Sequence, residues 1–269
     1  MVSSDREFTG SIPELYDTFL VPLIFESYAR DLANRVISQD TNAVLEIAAG
    51  SGVVPRALAP MLSKEARYVA TDLNQSMLDH AKELQPGSAV IEWRQADALD
   101  LPFEDDSFDT VICQFGVMFF PDRIQGFREA RRVLRPGGRY IFNVWDKISE
   151  NVFADIATQA AAEIFPDDPP RFLARTPHGH YDAARTVAEL KEAGFGEANY
   201  GIRADQSKAA SPDIPAIAYC QGTPLRNEIE ERDPSKLQAV TDRTAAMIEA
   251  TYGGAEVSAK IQALVFTAV

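Results

Sequence analysis

The chain has 269 residues and a mass of 29.6 kDa; 26 Lys and Arg stand against 40 Asp and Glu, a formal net charge of −14 with a pI of about 4.7. So acidic a chain lacks the clustered cations by which proteins hold nucleic acid or anionic membrane surfaces, and no Lys/Arg-rich run supplies them. With 46% hydrophobic and 25% charged residues it has a globular composition, and no apolar stretch approaches the roughly 18 residues that cross a bilayer. The polar start MVSSDREFTG has no signal-peptide apolar core. Cys113 and Cys220 are far apart and offer neither ligand spacing nor a disulfide framework. A cytoplasmic protein is expected.

In chain order, five short β-branched or aromatic segments predict strands: Ala43–Ala48, Arg67–Thr71, Ala89–Arg94, Phe108–Gln114 and Arg139–Trp145. Helical patterns separate them. Asn74 is placed to cap a helix with Met77, Leu78, Ala81 and Leu84 on one face. Asp122 is placed to cap another with Ile124, Phe127, Ala130, Val133 and Leu134, stopped at Arg135-Pro136-Gly137-Gly138. Strand–helix alternation with nearly continuous apolar strands predicts a parallel sheet covered on both faces, an α/β doubly wound fold. The second half is less regular. Asp182–Ala193 reads as a capped helix ended by Gly194, and Glu197–Arg203 and Ile261–Val269 read as strands. The segments 147–180 and 205–258 read as helical inserts, each suited to a lid or to a dimer surface.

The first strand runs into Glu46-Ile47-Ala48-Ala49-Gly50-Ser51-Gly52, with a helix expected from about Val53. Glycines at a strand-to-helix turn let the backbone approach a ligand, and open parallel sheets bind ligands at their strands' carboxyl ends. A dinucleotide fingerprint needs a third glycine where Pro55 stands, and a P-loop needs a lysine at the helix start, which is absent. Glu46 at the strand end opposes phosphate and suits a cationic amine. Asp72 ends the second strand, where a carboxylate can accept both hydroxyls of a ribose. Asp97 follows the third, where a carboxylate can accept from an exocyclic amine such as that of adenine; the fourth ends in Cys113-Gln114-Phe115-Gly116. Together these strand ends suit a nucleoside with a cationic amino-acid tail. Alone, an Asp at a strand end is more often a helix cap or turn residue, and the pairing with the glycine-bearing turn is what sets Asp72 and Asp97 apart. Met77 and Phe115 are as readily core, Cys113 reads as a buried inert thiol, and Glu228–Asp233 as a solvated helix face.

Five stretches, LEIAAGSG (45–52), VATDLNQSML (69–78), QADALDLPFEDDSFD (95–109), CQFGVMFFPD (113–122) and RVLRPGGRYIFNVW (132–145), resemble the class I S-adenosylmethionine-dependent methyltransferases. The branch most similar is that of ubiquinone/menaquinone biosynthesis. The resemblance implies a mostly parallel seven-stranded sheet with an antiparallel last strand, in one domain over 1–269. Its cofactor core would span about 40–146, with lid or substrate inserts at about 1–30, 147–180 and 205–258. It implies S-adenosyl-L-methionine as cofactor, S-adenosyl-L-homocysteine as product and a small-molecule acceptor methylated on O, N or C. Glu46, Ala48, Gly50 and Gly52 would line the methionine end; Ala48 stands at the first glycine of the family's GxGxG. Asp72 would hold the ribose, Leu73 and Met77 would pack near adenine, Asp97 and Ala98 would read its edge, and Gln114 and Phe115 would lie where cofactor meets substrate.

Phe8–Asp17 resembles the family's lid helix, with Tyr16 reaching the cofactor pocket. The stretch Thr176–Asp182 corresponds to one near the substrate cavity, making His178, His180 and Tyr181 candidate bases or substrate contacts; two surface histidines are the plainer alternative. Arg226 could bind an acceptor carboxylate or pair with Glu230 four residues on. His-x-His without a third ligand nearby gives no metal site. A homodimer stays open, as does a non-catalytic subunit or sensor that binds S-adenosylmethionine or S-adenosylhomocysteine.

Overall fold

The computed structural model describes residues 12–38, 41–85 and 91–269. Residues 8–11 of the expected lid helix, and 89–90 of the expected third strand, lie outside the described residues. Seven strands, β1 (Ala43–Glu46), β2 (Arg67–Asp72), β3 (Ile91–Gln95), β4 (Phe108–Gln114), β5 (Leu134–Trp145), β6 (Ala198–Ala209) and β7 (Val257–Ala268), form one sheet in the order β3-β2-β1-β4-β5-β7-β6. β1 pairs with β2 and β4, β2 with β3, and β4 with β5, all parallel, and β7 runs antiparallel. This is the Rossmann-like sheet expected. Because strand order turns from β1 outward to β2 on one side and β4 on the other, the carboxyl ends of β1 and β4 flank the topological switch, where such sheets open a crevice.

The chain packs as two compact units: one holds Glu26–Val144, Asp182–Arg203 and Leu264–Val269, the other Met1–Phe25, Trp145–Tyr181 and Ala204–Ala263. In the first, the helix Glu26–Val36 buries Ala29, Leu32, Ala33 and Val36 against Val44, Tyr68, Ile112 and Ile141 of the strands and Val54 and Leu58 of the helix Val53–Leu58. Apolar side chains so enclosed contribute roughly 1.5–3 kcal/mol each, which fixes the strands whose ends carry the candidate site. The second unit is built largely of the helices Val152–Ile164, Asp213–Gln221, Leu225–Arg232 and Leu237–Tyr252.

Several local expectations need correction. β1 stops at Glu46, since Ala48 already has φ 57. β5 begins at Leu134, so the Pro-Gly-Gly run ends the preceding helix but enters the strand. β6 extends to Ala209 and β7 starts at Val257, shortening the helical part of 205–258. Asp122 and Asp182 cap their helices by accepting from the Gln125 and Arg185 N–H groups. Asn74 holds the cap position without capping; its side chain instead donates to Asp72. Glu228 is buried rather than solvated: Oε2 accepts from the Arg171 (2.7 Å) and Phe172 (3.1 Å) N–H groups and Oε1 from Arg175 (2.5 Å), so it holds the start of the short helix Phe172–Arg175.

Candidate active site

Between β1 and the helix at Val53 the backbone passes through three left-handed residues, Ala48 (φ 57), Gly50 (φ 57) and Gly52 (φ 81). Glycine takes this conformation freely, whereas an alanine there costs roughly 1–2 kcal/mol. The turn is tied to β2 by two bonds, Ala49 N–H to the Thr71 carbonyl (2.8 Å) and Gly50 N–H to Asp72 Oδ2 (2.9 Å). Asp72 Oδ1 accepts from the Asn74 N–H at 2.8 Å, so this buried carboxyl links the turn to the start of the helix Gln75–Leu84. Burial raises its pKa, and the N–H groups of Asn74 and Gly50 oppose that shift.

Glu46 is buried at the end of β1 and accepts a hydrogen bond at Oε2 from the Tyr68 hydroxyl. Its pKa is pushed up to about 8 by burial, against the Tyr68 hydrogen bond and with added repulsion from Asp72. Among the described residues neither Glu46 nor Asp72 has a cationic partner. Two buried acids without a counterion, set beside a turn of left-handed residues, suit a ligand carrying an ammonium group and hydroxyls. The cofactor S-adenosylmethionine therefore fits these residues.

Gln114 is buried at the end of β4, and Phe115 follows with φ 53. Such a conformation is an outlier for a bulky residue and needs support from its surroundings. Asn143 of β5 provides it: the Phe115 N–H donates to Asn143 Oδ1 at 2.9 Å and to its carbonyl at 3.2 Å, while the Phe115 ring meets the Tyr28 ring edge-on at 5.4 Å. Cys113 is buried and its thiol pKa is pushed up to about 12, chiefly by burial, as an inert thiol requires. Met77 is buried, with Cε 3.7 Å from where a Cβ on Gly50 would stand. Leu73 is 44% exposed. Asp97 is exposed with Oδ1 accepting the Leu99 N–H at 2.9 Å, and Ala98 is half-buried. The first unit thus brings Glu46, Ala48, Gly50, Gly52, Asp72 and Met77 together at the β1 and β2 ends.

The remaining candidates belong to the second unit. His178 is buried, not a surface residue: Nδ1 lies 2.8 Å from the Asp146 carbonyl and the ring sits 6.1 Å from the Trp145 ring. A carbonyl only accepts, so Nδ1 carries the proton and Nε2 the lone pair. Burial lowers the His178 pKa to about 4. Asp146 is itself fixed, with Oδ2 accepting from Gln262 Nε2 at 2.6 Å and Oδ1 from the Lys147 N–H at 2.7 Å. His180 is half-buried, Tyr181 is exposed, and Tyr16 stacks on Phe25 at 5.1 Å. Arg226 pairs with Glu230 at 2.8 Å, the alternative open from the sequence. Among the described residues no group of three His, Cys, Asp or Glu is placed to hold a metal ion, and no helix is long and apolar enough to cross a membrane.

Sequence reasoning missed Tyr68, Asn143 and Thr71, whose hydroxyl donates to the Glu46 carbonyl at 2.8 Å. Their signal lies in strand register, which places Val44 opposite Tyr68 and Gln114 opposite Asn143.

The fold is Rossmann-like and the turn after β1 suits a nucleoside with a cationic tail; comparison with known proteins narrows the class. The family described as a methyltransferase domain matches residues 45–142. The demethylmenaquinone methyltransferase of Clavibacter sepedonicus is 41% identical over 98 residues, 36% of this chain and 39% of that protein. The ubiquinone/menaquinone biosynthesis C-methyltransferase of Pseudomonas aeruginosa is 31% identical over 171 residues, 59% of this chain and 67% of that protein. In fold, the chain is similar to the phosphoethanolamine N-methyltransferase 2 of Haemonchus contortus, with a TM-score of 0.60 and 16% identity, covering 100% of this chain and 61% of that one. A methyltransferase of Aquifex aeolicus gives a TM-score of 0.52 at 19% identity, covering 72% of this chain and 89% of that one. The chain belongs to the class I S-adenosylmethionine-dependent methyltransferases.

Proposed function

We propose that this chain transfers the methyl group of S-adenosylmethionine to an oxygen, nitrogen or carbon of a small aromatic or apolar metabolite. The observation that carries the reading is the uncompensated acid pair Glu46 and Asp72 at neighbouring strand ends, beside the left-handed turn. In this reading Glu46 takes the cofactor's ammonium, and Ala48, Gly50 and Gly52 let the backbone lie against its methionine end. Asp72 accepts the ribose hydroxyls, Leu73 and Met77 pack on adenine, Asp97 and Ala98 read its edge, and Gln114 and Phe115 face the sulfonium.

The bound cofactor supplies an electrophilic methyl group on a positively charged sulfur. Displacement at that methyl is in line, so the protein's contribution is alignment and exclusion of water. Attack through carbon or a phenol oxygen also releases a proton. His178 is the residue we assign to it from sequence: its Nε2 carries the lone pair, and with a pKa lowered to about 4 it is a weak base that suits only an acceptor whose proton is already acidic. His180, Tyr181, Tyr16 and Arg226 are assigned to acceptor or lid contacts from sequence.

The two curated relatives are named for demethylmenaquinone and for ubiquinone/menaquinone C-methylation, so a quinol ring carbon is the acceptor to test first. The test is incubation with methyl-labelled S-adenosylmethionine and short-tailed demethylmenaquinol, catechols or small amines, read by mass spectrometry. Label in one acceptor class is the expected result. Tight S-adenosylhomocysteine binding with no transfer to any acceptor would replace this reading with a non-catalytic binding subunit.

A further inference from the structure

Tyr68 has no role in the assignments above, yet it makes the one hydrogen bond to the Glu46 carboxyl among the described residues. The two side chains meet because parallel pairing sets Val44 opposite Tyr68 and Glu46 opposite Ala70, so positions 46 and 68 are diagonal neighbours on one sheet face. The Tyr68 ring is fixed in the apolar cluster with Ala29, Leu32, Val44 and Leu58, which leaves its hydroxyl little freedom. The bond engages Oε2 alone, and Oε1 is not among the sealed side-chain atoms lacking a partner.

We propose that Tyr68 is a positioning residue for the cofactor: its hydroxyl holds Oε2 of Glu46, so that the carboxyl presents Oε1 and gives up its proton to solvent as the ligand's ammonium arrives. The proposal rests on Glu46 being the ammonium's partner. The groups that face Glu46 are Tyr68 and Asp72 from β2 and Cys113 from β4. Tyr68 and Cys113 both have pKa values raised by burial and stay neutral through the range tested. Asp72 adds repulsion that favours the protonated Glu46 in the absence of ligand. The balance of the step is one O–H bond of the carboxyl broken, one proton to water, and an ammonium–carboxylate pair formed.

The sign follows. Burial pushes the Glu46 pKa up to about 8, so below that pH forming the ammonium–carboxylate pair expels a proton, and affinity rises with pH. The Tyr68 hydroxyl stabilises the carboxylate, so its loss moves the titration upward and weakens binding at every pH below it.

The experiment is calorimetric titration of the intact protein with S-adenosylhomocysteine between pH 6 and 7.5, in two buffers of different ionisation enthalpy. It covers wild type, Tyr68→Phe, Glu46→Gln and the double variant, with thermal melts to establish folding. Wild type is expected to release close to one proton and to bind about 25-fold tighter at the upper pH. Tyr68→Phe is expected to lose about tenfold at each pH with the same slope, in keeping with a hydrogen bond to a charged group. Glu46→Gln is expected to bind weakly with no slope, and adding Tyr68→Phe to it to cost nothing further. Equal affinity of Tyr68→Phe and wild type, or a full tenfold additional loss in the double variant, overturns the positioning role. A Glu46→Gln variant that binds like wild type instead removes the ammonium assignment beneath it. Should Tyr68→Phe not fold, 3-fluorotyrosine placed at position 68 decides, since it keeps the ring and strengthens the donor: tighter binding below pH 7.5 supports the proposal, and an affinity equal to wild type overturns it.

Discussion

Replacing Asp72 by Ala perturbs stability and ligand binding together, by amounts set by separate atoms. The carboxyl is the acceptor for two backbone donors, Gly50 N–H at 2.9 Å and Asn74 N–H at 2.8 Å. Each bond contributes about 1 kcal/mol net, and the removed carboxyl had been held at a raised pKa by burial, which offsets part of the loss. A net destabilisation of roughly 1–2 kcal/mol is expected, a fall in Tm of roughly 2–4 °C for a chain of this length. On the ligand side, the charge-assisted bonds to ribose hydroxyls that we assign to Asp72 contribute roughly 1.5–3 kcal/mol, or about 10- to 150-fold in affinity. Asp72→Asn keeps one carbonyl acceptor and should recover part of the Tm loss without recovering the affinity. The assays are differential scanning calorimetry and titration with S-adenosylhomocysteine. An Asp72→Ala protein that binds the ligand within twofold of wild type would falsify the ribose assignment. An unchanged Tm would refute the linking role of the carboxyl.

Three further outcomes follow from particular residues. Ala48→Gly relieves a left-handed alanine and should raise stability by about 0.5–1 kcal/mol in urea titration, even after the added freedom of the unfolded chain; a loss of stability would contradict the φ of 57. The imidazole of His178, with its pKa lowered to about 4 by burial, should show no NMR titration between pH 8 and 5; because the unfolded chain takes up that proton near 6.5, this residue withdraws stability as pH falls from there toward 4. A midpoint near 6.5 in the folded protein would rule out the buried neutral ring. Glu228→Ala removes the acceptor for two backbone N–H groups and for Arg175, and should lower the urea midpoint by an amount equal to roughly 2–3 kcal/mol at constant m; a neutral effect would mean that water replaces the carboxylate at no loss.

Legibility in the sequence followed the range of the interaction that decides each feature. The strand–helix alternation, the caps at Asp122 and Asp182 and the glycine-bearing turn after β1 are local, and periodicity with residue type was enough to place them. Glu46 and Asp72 could be placed at strand ends for the same reason. Whether each acid is buried was not local: Asp72 is enclosed, while Asp97, in an equivalent position one strand out, is exposed. Glu228 sits in a charged run that reads as solvated, and only the approach of residues 171–175, more than fifty positions earlier, makes it a buried cap. Tyr68 and Asn143 became partners of Glu46 and Phe115 through register, which pattern alone leaves free.

Close approach of two turns also links two sequence positions. A Cβ on Gly116 would stand 2.5 Å from the Ala48 Cβ and 2.7 Å from the Cys113 sulfur. The methyl of Ala48 therefore occupies space that an absent side chain at 116 leaves open, so the two turns share one vacancy for a single small group. A chain with glycine at position 48 could carry alanine at 116 with less crowding from that side, and a residue larger than alanine at 48 would press on the segment after β4. Efforts to reshape the first turn must therefore treat positions 48 and 116 as one choice.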